Sequence, residues 1–273
     1  METLQIGTIT KQVPSSWNEL KRRQLLAVVA ELYAPARPGR PLRLLSVVTG
    51  FPLPLLGTQP VVVLAQLLPL AHFLEAEDQL LTEQLLPTLQ LPGRHVTERA
   101  VTWHGPRGHL RNVLFGEFIF ADTFFVLYAL HGKAEHLDKF LAVLYRPRRV
   151  GASPASADWT GDVRLPFNEH QLENRTPRVG PLGILERQAV LTWYRGCRAQ
   201  LAQEFPDVFV AADEDAKKRA TKAPDWARVL RKLAGGAFGA VDQTAGQPLR
   251  LVLAEMQDLA ADYHRLKNQK ATH

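Results

Sequence analysis

The sequence predicts a mainly α-helical protein, a multi-helix globular domain with a small N-terminal β element and a C-terminal helical pair. Three observations predict it. Between Leu114 and Arg149, two apolar stripes fall at helical spacing: Phe118, Ala121, Phe125 and Tyr128, then Leu137, Phe140, Leu141 and Leu144. From Leu44 to Leu74 no residue is formally charged, and Pro52, Pro54, Pro60 and Pro69 cut this run into short pieces. Near the C-terminus, Asp225–Ala234 and Leu249–Asn268 are amphipathic at the same spacing, whereas strand-like alternation is confined to short stretches.

Taken in order, Leu4–Val13 alternates weakly and predicts one short strand, with Ala100–Trp103 as its expected partner. Ser16 and Glu19 have capping-box spacing for a helix running to about Tyr33, with Trp17, Leu20, Gln24, Leu25 and Val28 on its buried stripe. Pro35, Pro38 and Pro41 end it. The prolines of Leu44–Leu74 favour buried short helices over a bilayer span, and Leu80–Leu91 is expected to continue the same leucine-rich packing. The two stripes after Leu114 form an antiparallel helix pair, joined at His131–Ala134 by the helix-stopping Gly132 and closed by Pro147. Trp159 and Phe167 are expected to dock parts of the loop that follows. Leu182–Phe205 reads as a long helix with Leu185, Ala189, Leu191, Tyr194 and Leu201 available for burial, and with Cys197 as a small packing residue. A second C-terminal helix starts near Pro248, favourable in a first turn. The expected organisation is a helical core over 1–210 with a long loop over 147–180, a linker over 211–223 and a C-terminal helical module over 224–273.

A chain of 273 residues, 46% hydrophobic and 22% charged, can bury a full core, which excludes disorder throughout. The single Cys197 excludes an intramolecular disulfide framework and a cysteine-based zinc site, and fits a reducing, cytoplasmic setting. The start, Met1-Glu2-Thr3-Leu4-Gln5, lacks a secretory signal pattern. A net charge of +6 permits contact with a polyanion. The excess is spread over Lys21–Arg23, Arg146–Arg149 and Lys217–Arg219 with acids between them, as on solvated faces.

Chemistry-bearing motifs are sparse. Gly235–Gly239 follows a helix and lacks the Lys-Ser/Thr pair of a phosphate loop, so it reads as a helix cap. Neither Gly-x-Ser-x-Gly nor His-Glu-x-x-His occurs. His95, His104 and His109 lack metal-ligand spacing, so no metal and no cofactor is expected. Glu117 and Asp122 are five residues apart on a helix, which puts them on different faces, as solvent-facing or hydrogen-bonded carboxylates. Trp226, Val229, Leu230 and Leu233 make an apolar stripe on a helix too short to stay folded alone. It either recognises a partner protein or packs on Leu251, Leu259 and the main core.

Four segments carry a resemblance. They are Val13–Leu20, Gly116-Glu117-Phe118 followed by Ala121-Asp122, Leu137–Pro147, and Asp162–Asn168. Together they resemble uncharacterised proteins of phage and prophage-like clusters in Bacteroidetes-type bacteria, over most of residues 10 to 210. Those proteins sit among tail and head structural genes, so the resemblance implies a genomic setting and no active site. The expectation is a non-enzymatic, cytoplasmic protein that assists assembly of a phage tail or tail-derived particle, with particle structural proteins as partners and no membrane span. Two alternatives stand beside it. One is a nucleic-acid-binding protein using the basic loop and residues 217–232, whose binding would fall steeply with salt. The other is an enzyme gathering Glu117, Asp122, His104 and His109.

Overall fold

A computed structural model describes residues 1–6, 9–93, 99–157, 159–209 and 226–271. The linker over 211–223, the Lys217–Arg219 run and His95 lie outside these. The fold is mainly α, with small antiparallel β elements. Contacts divide the chain into two compact units, Met1–Leu86 with Gly183–Cys197, and Pro87–Leu182 with Arg198–His273. This division differs from the expected core over 1–210 and module over 224–273. Helical periodicity finds elements and carries no record of which distant elements share a core.

In the first unit, β1 (Glu2–Ile6) and β2 (Ile9–Val13) pair antiparallel, with Ile6 opposite Ile9. The single strand predicted over Leu4–Val13 is therefore a hairpin, and Ala100–Trp103 is not its partner. The weak alternation over Leu4–Val13 obscures where one strand ends and the next begins. The Lys11 ammonium sits 4.2 Å from the Phe51 ring centroid and donates to the Gly50 carbonyl at 2.7 Å, which ties the hairpin to the helices.

The predicted capping box is also shifted: Ser15, not Ser16, donates its N–H and its hydroxyl to the Glu19 carboxylate, at 2.8 and 3.0 Å. The Met1 ammonium, at 2.5 Å, and then the Ser15 N–H hold the Glu19 carboxyl at about 2 instead of its ordinary 4.5. Because the folded value lies below the unfolded one, this stabilisation is present above the ordinary value and is lost as pH falls through about 2. Glu19→Gln should therefore flatten the fall in melting temperature across that acid window. An acid limb identical to that of the parent protein would contradict the pairing.

Helix α1 (Arg22–Tyr33) starts where the Gln24 side chain accepts the Lys21 N–H at 2.9 Å, and it buries Leu25, Val28 and Val29. The Gln24 amide also donates to the Val48 carbonyl of α2 (Arg40–Thr49) at 3.0 Å. The proline-cut run continues as α3 (Leu53–Gly57), α4 (Val61–Leu67) and a 3₁₀ segment, Leu68–Leu74. No helix among the described residues is long and apolar enough to cross a membrane. Leu81 and Leu86 are buried as expected, but Leu80–Leu91 is not helical. Asn18 holds it open: its Oδ1 accepts the Thr82 and Glu83 N–H groups at 2.8 and 2.9 Å, and its Nδ2 donates to the Thr82 hydroxyl at 3.1 Å. The Thr82 carbonyl then accepts the Trp193 indole N–H at 3.0 Å and the Cys197 thiol at 3.5 Å. Both come from α8 (Ile184–Glu204), whose Ala189, Leu191 and Tyr194 are buried as predicted while Leu185 is exposed. Gly196 on this helix faces Leu81, and a Cβ there would lie 2.9 Å from the Leu81 carbonyl carbon.

In the second unit, β3 (Thr88–Leu91), β4 (Val101–His104) and β5 (Arg146–Pro147) form an antiparallel sheet in that order. The predicted helix pair is present as α5 (Phe115–His131) and α6 (Ala134–Leu144), which pack on each other around the Gly132 stop at φ 64°. Phe118, Ala121, Leu137, Phe140, Leu141 and Leu144 are buried, whereas Phe125 and Tyr128, toward the end of α5, are half-buried. The long loop predicted over 147–180 contains α7 (Leu172–Val179), which packs on α6. Only Leu172 and Val179 of α7 are buried and Pro177 lies inside it, so its stripe is too thin to register in the sequence. The C-terminal part comprises α9 (Trp226–Leu233), a short α10 (Val241–Ala245) absent from the prediction, and α11 (Leu249–Ala271).

Candidate functional site

Glu117 falls in the first turn of an aromatic helix, where burial of its apolar neighbours carries the carboxylate inside; it is 1% exposed. An isolated charge at that depth would be untenable. Two arginines meet it. Arg146, where α6 gives way to β5, reaches Glu117 Oε1 at 3.0 Å and Oε2 at 3.2 Å. Arg164 comes from a segment held beside β5 by the Leu165 N–H on the Pro147 carbonyl and the Arg149 N–H on the Val163 carbonyl, both 2.8 Å. It reaches the same two oxygens at 2.6 and 3.2 Å, and holds Asp162 Oδ2 at 2.7 Å. Backbone carbonyls take up the remaining donors. Arg146 donates to Val143 and Leu165 at 2.6 and 2.7 Å, and Arg164 to Leu144 and Asn112 at 2.8 and 3.2 Å. Two guanidiniums and two carboxylates make this cage neutral. Burial pulls Arg146 below the usual guanidinium range, with the Glu117 charge opposing it. Arg164 suffers the same burial, but Glu117 and Asp162 together raise it.

The cage forms one wall of a cavity of about 500 Å³. Arg107, Arg111 and Arg149 line it as well, so five arginines and two acids, Glu117 and Asp162, border the cavity. Leu114, Pro166, Phe167 and Pro248 supply apolar walls. The end of the cavity is the start of α5, fixed by the Phe115 N–H on the Gln247 carbonyl at 2.9 Å and by the Leu249 N–H on the Val113 carbonyl at 3.1 Å. Gly116 permits this approach, because a Cβ there would lie 3.1 Å from the Ala245 Cβ. A second cavity of about 410 Å³ shares Leu114, Glu117, Phe167 and Gly246 with the first, and is lined by Phe120, Leu230 and Val241. The Phe167 ring packs on Phe120 at 5.2 Å, so the docking expected of it is present.

Asp122 is fully buried and serves a different network, accepting from Arg198 Nε at 2.6 Å and from the Trp226 indole at 2.8 Å. Trp226 also meets Phe118, Phe209 and Phe115 edge-on, with centroids at 5.3, 6.0 and 6.3 Å. Trp226, part of the stripe expected either to recognise a partner or to pack on the core, is thus a core residue, 5% exposed. Val229, Leu230 and Leu233 are half-buried, and Leu230 lines the second cavity. Leu251 and Leu259, the expected support for that stripe, are both 51% exposed. His109 is bonded through Nδ1 to Gln200 Oε1 at 2.7 Å. Burial, then Arg148, lowers the pKa of His104, against the pull of Asp162. Glu117 and Asp122 each sit in their own ion network. Among the described residues, no cluster of His, Cys, Asp or Glu could hold a metal ion.

The sequence reading missed Arg107, Arg111, Arg146 and Arg164. A signal existed for the cage, since Glu117 interrupts an aromatic run and Arg146 ends an apolar one. No spacing rule links the two positions. No protein-family model, no curated protein and no solved structure matches the chain.

Proposed function

We propose that the protein is a non-catalytic, cytoplasmic component in the assembly of a phage tail or tail-derived particle, working through protein–protein contacts. The observation that carries the contact reading is the aliphatic surface of α3 and α4. Val61 and Val62 are 81% and 70% exposed, and Leu53 and Leu55 lie close by in sequence, exposed as well. Scattered exposed aliphatics are ordinary, but a short stretch rich in them favours burial against another protein. The reading also accords with the carboxylates, since Glu117 and Asp122 are committed to arginines and are poorly placed to move protons. The phage setting rests on the sequence resemblance over residues 10 to 210.

The test is Val61→Asp with Val62→Asp. Both positions lie in the first turn of α4, where a carboxylate suits the helix dipole, so the fold should persist. The parent protein is expected to co-sediment with particles whose tail proteins are identified by mass spectrometry. The variant should keep its circular dichroism spectrum and melting temperature but stay in the supernatant. Full retention of the variant on particles, or failure of the parent protein to co-sediment, would overturn the proposal.

A further inference from the structure

We infer that the cavity at the start of α5 is a binding site for a small molecule bearing clustered anionic oxygens, gripped by Arg107 and Arg111. Three observations converge on it. First, Glu117 and Asp162 neutralise Arg146 and Arg164, so the cage itself adds no net charge to the cavity. Arg107 and Arg111 are exposed and bond no carboxylate among the described residues. Two such guanidiniums bordering one cavity raise the potential there and offer planar forks that match phosphate or carboxylate oxygens.

Second, the 17-residue helix α5 begins at this cavity, with Leu114 and Glu117 among the lining residues. Its dipole adds to the attraction for an anion. Third, the segment carrying the two arginines is strained. His109 and Leu110, consecutive and neither of them glycine, have φ of 58° and 55°. Left-handed backbone at a buried leucine persists only where the surroundings impose it, and such outliers gather at ligand sites. Here the turn brings Arg107, Arg111 and Asn112 to one cavity, and the Arg107 N–H is fixed on Asn112 Oδ1 at 2.7 Å.

The volume of about 500 Å³ suits a small molecule. Phe167, Pro166 and Pro248 can cover its uncharged part. The anionic oxygens could belong to phosphates or to carboxylates, and the two sources are separable. The full-length protein is titrated with inorganic tripolyphosphate and with citrate by calorimetry, chloride being used to match ionic strength. At least one probe is expected to bind with a stoichiometry of one and raise the melting temperature. Binding of tripolyphosphate alone assigns phosphate, and binding of citrate alone assigns carboxylate. Arg107→Gln with Arg111→Gln should weaken binding roughly a hundredfold, since each charge-assisted contact contributes roughly tenfold. Both side chains are exposed, so the unliganded melting temperature should not change. The more conservative Arg111→Lys, which keeps the charge and loses the fork, should still weaken binding. The site is refuted if neither probe binds, if the double variant binds as tightly as the parent, or if only an acidic peptide or nucleic acid binds.

Discussion

Replacing Glu117 by glutamine is expected to destabilise the protein by about 3 to 5 kcal/mol, the cost of leaving a buried charge without its counter-ion. The substitution keeps the volume and most hydrogen-bonding capacity of the side chain, so packing contributes little to the loss. What changes is charge: Arg146 and Arg164, each 2% exposed, would share Asp162 as their only nearby carboxylate among the described residues. Arg146 lies 4.0 Å from it, beyond hydrogen-bonding distance. Arg146→Met should cost less, because Glu117 then keeps both of its bonds to Arg164. Urea unfolding followed by circular dichroism measures both. A loss below about 1 kcal/mol for Glu117→Gln would mean that water reaches the cage and that the burial argument fails.

Gly196→Ala is expected to destabilise by about 1 to 3 kcal/mol, although alanine is the better helix former by about 1 kcal/mol. Propensity and packing pull in opposite directions here, and the magnitudes decide. The added Cβ would lie well inside contact distance of the Leu81 backbone, which cannot rotate away as a side chain tip would. Moving α8 outward would stretch the bonds from Trp193 and Cys197 to the Thr82 carbonyl, whose segment is also held by Asn18. A thermal melt of the single variant suffices. A raised melting temperature would show that the contact relaxes freely and that propensity dominates.

The helices were legible where a wide apolar stripe continued for several turns. Leu137, Phe140, Leu141 and Leu144 marked α6, and the long run from Leu182 to Phe205, with Ala189, Leu191, Tyr194 and Leu201 available for burial, marked α8. Elements held by distant partners left no such trace. The Leu80–Leu91 segment is leucine-rich, yet an asparagine and an indole 64 and 111 residues away from Thr82 hold its first part in irregular chain. The Trp226 stripe left two readings open for a related reason. A local pattern reveals an apolar face but not what covers it, and the polar anchor for the indole, Asp122, lies 104 residues away. At the candidate site, only Glu117 was visible as a hydrogen-bonded carboxylate. Its arginines are 29 and 47 residues downstream, separations at which no periodicity operates.

Those separations bear on the order of events as the chain folds. An arginine enclosed before its carboxylate arrives would sit at a high free energy, so the cage closes only when α5, the end of α6 and the Asp162–Leu165 segment meet together. Closing loops of this length is entropically unfavourable until the contacts they permit are made. The ion cage therefore belongs to the far side of the folding barrier. Weakening it should accelerate unfolding more than it slows folding, which makes Glu117 chiefly a determinant of how long the native state lasts.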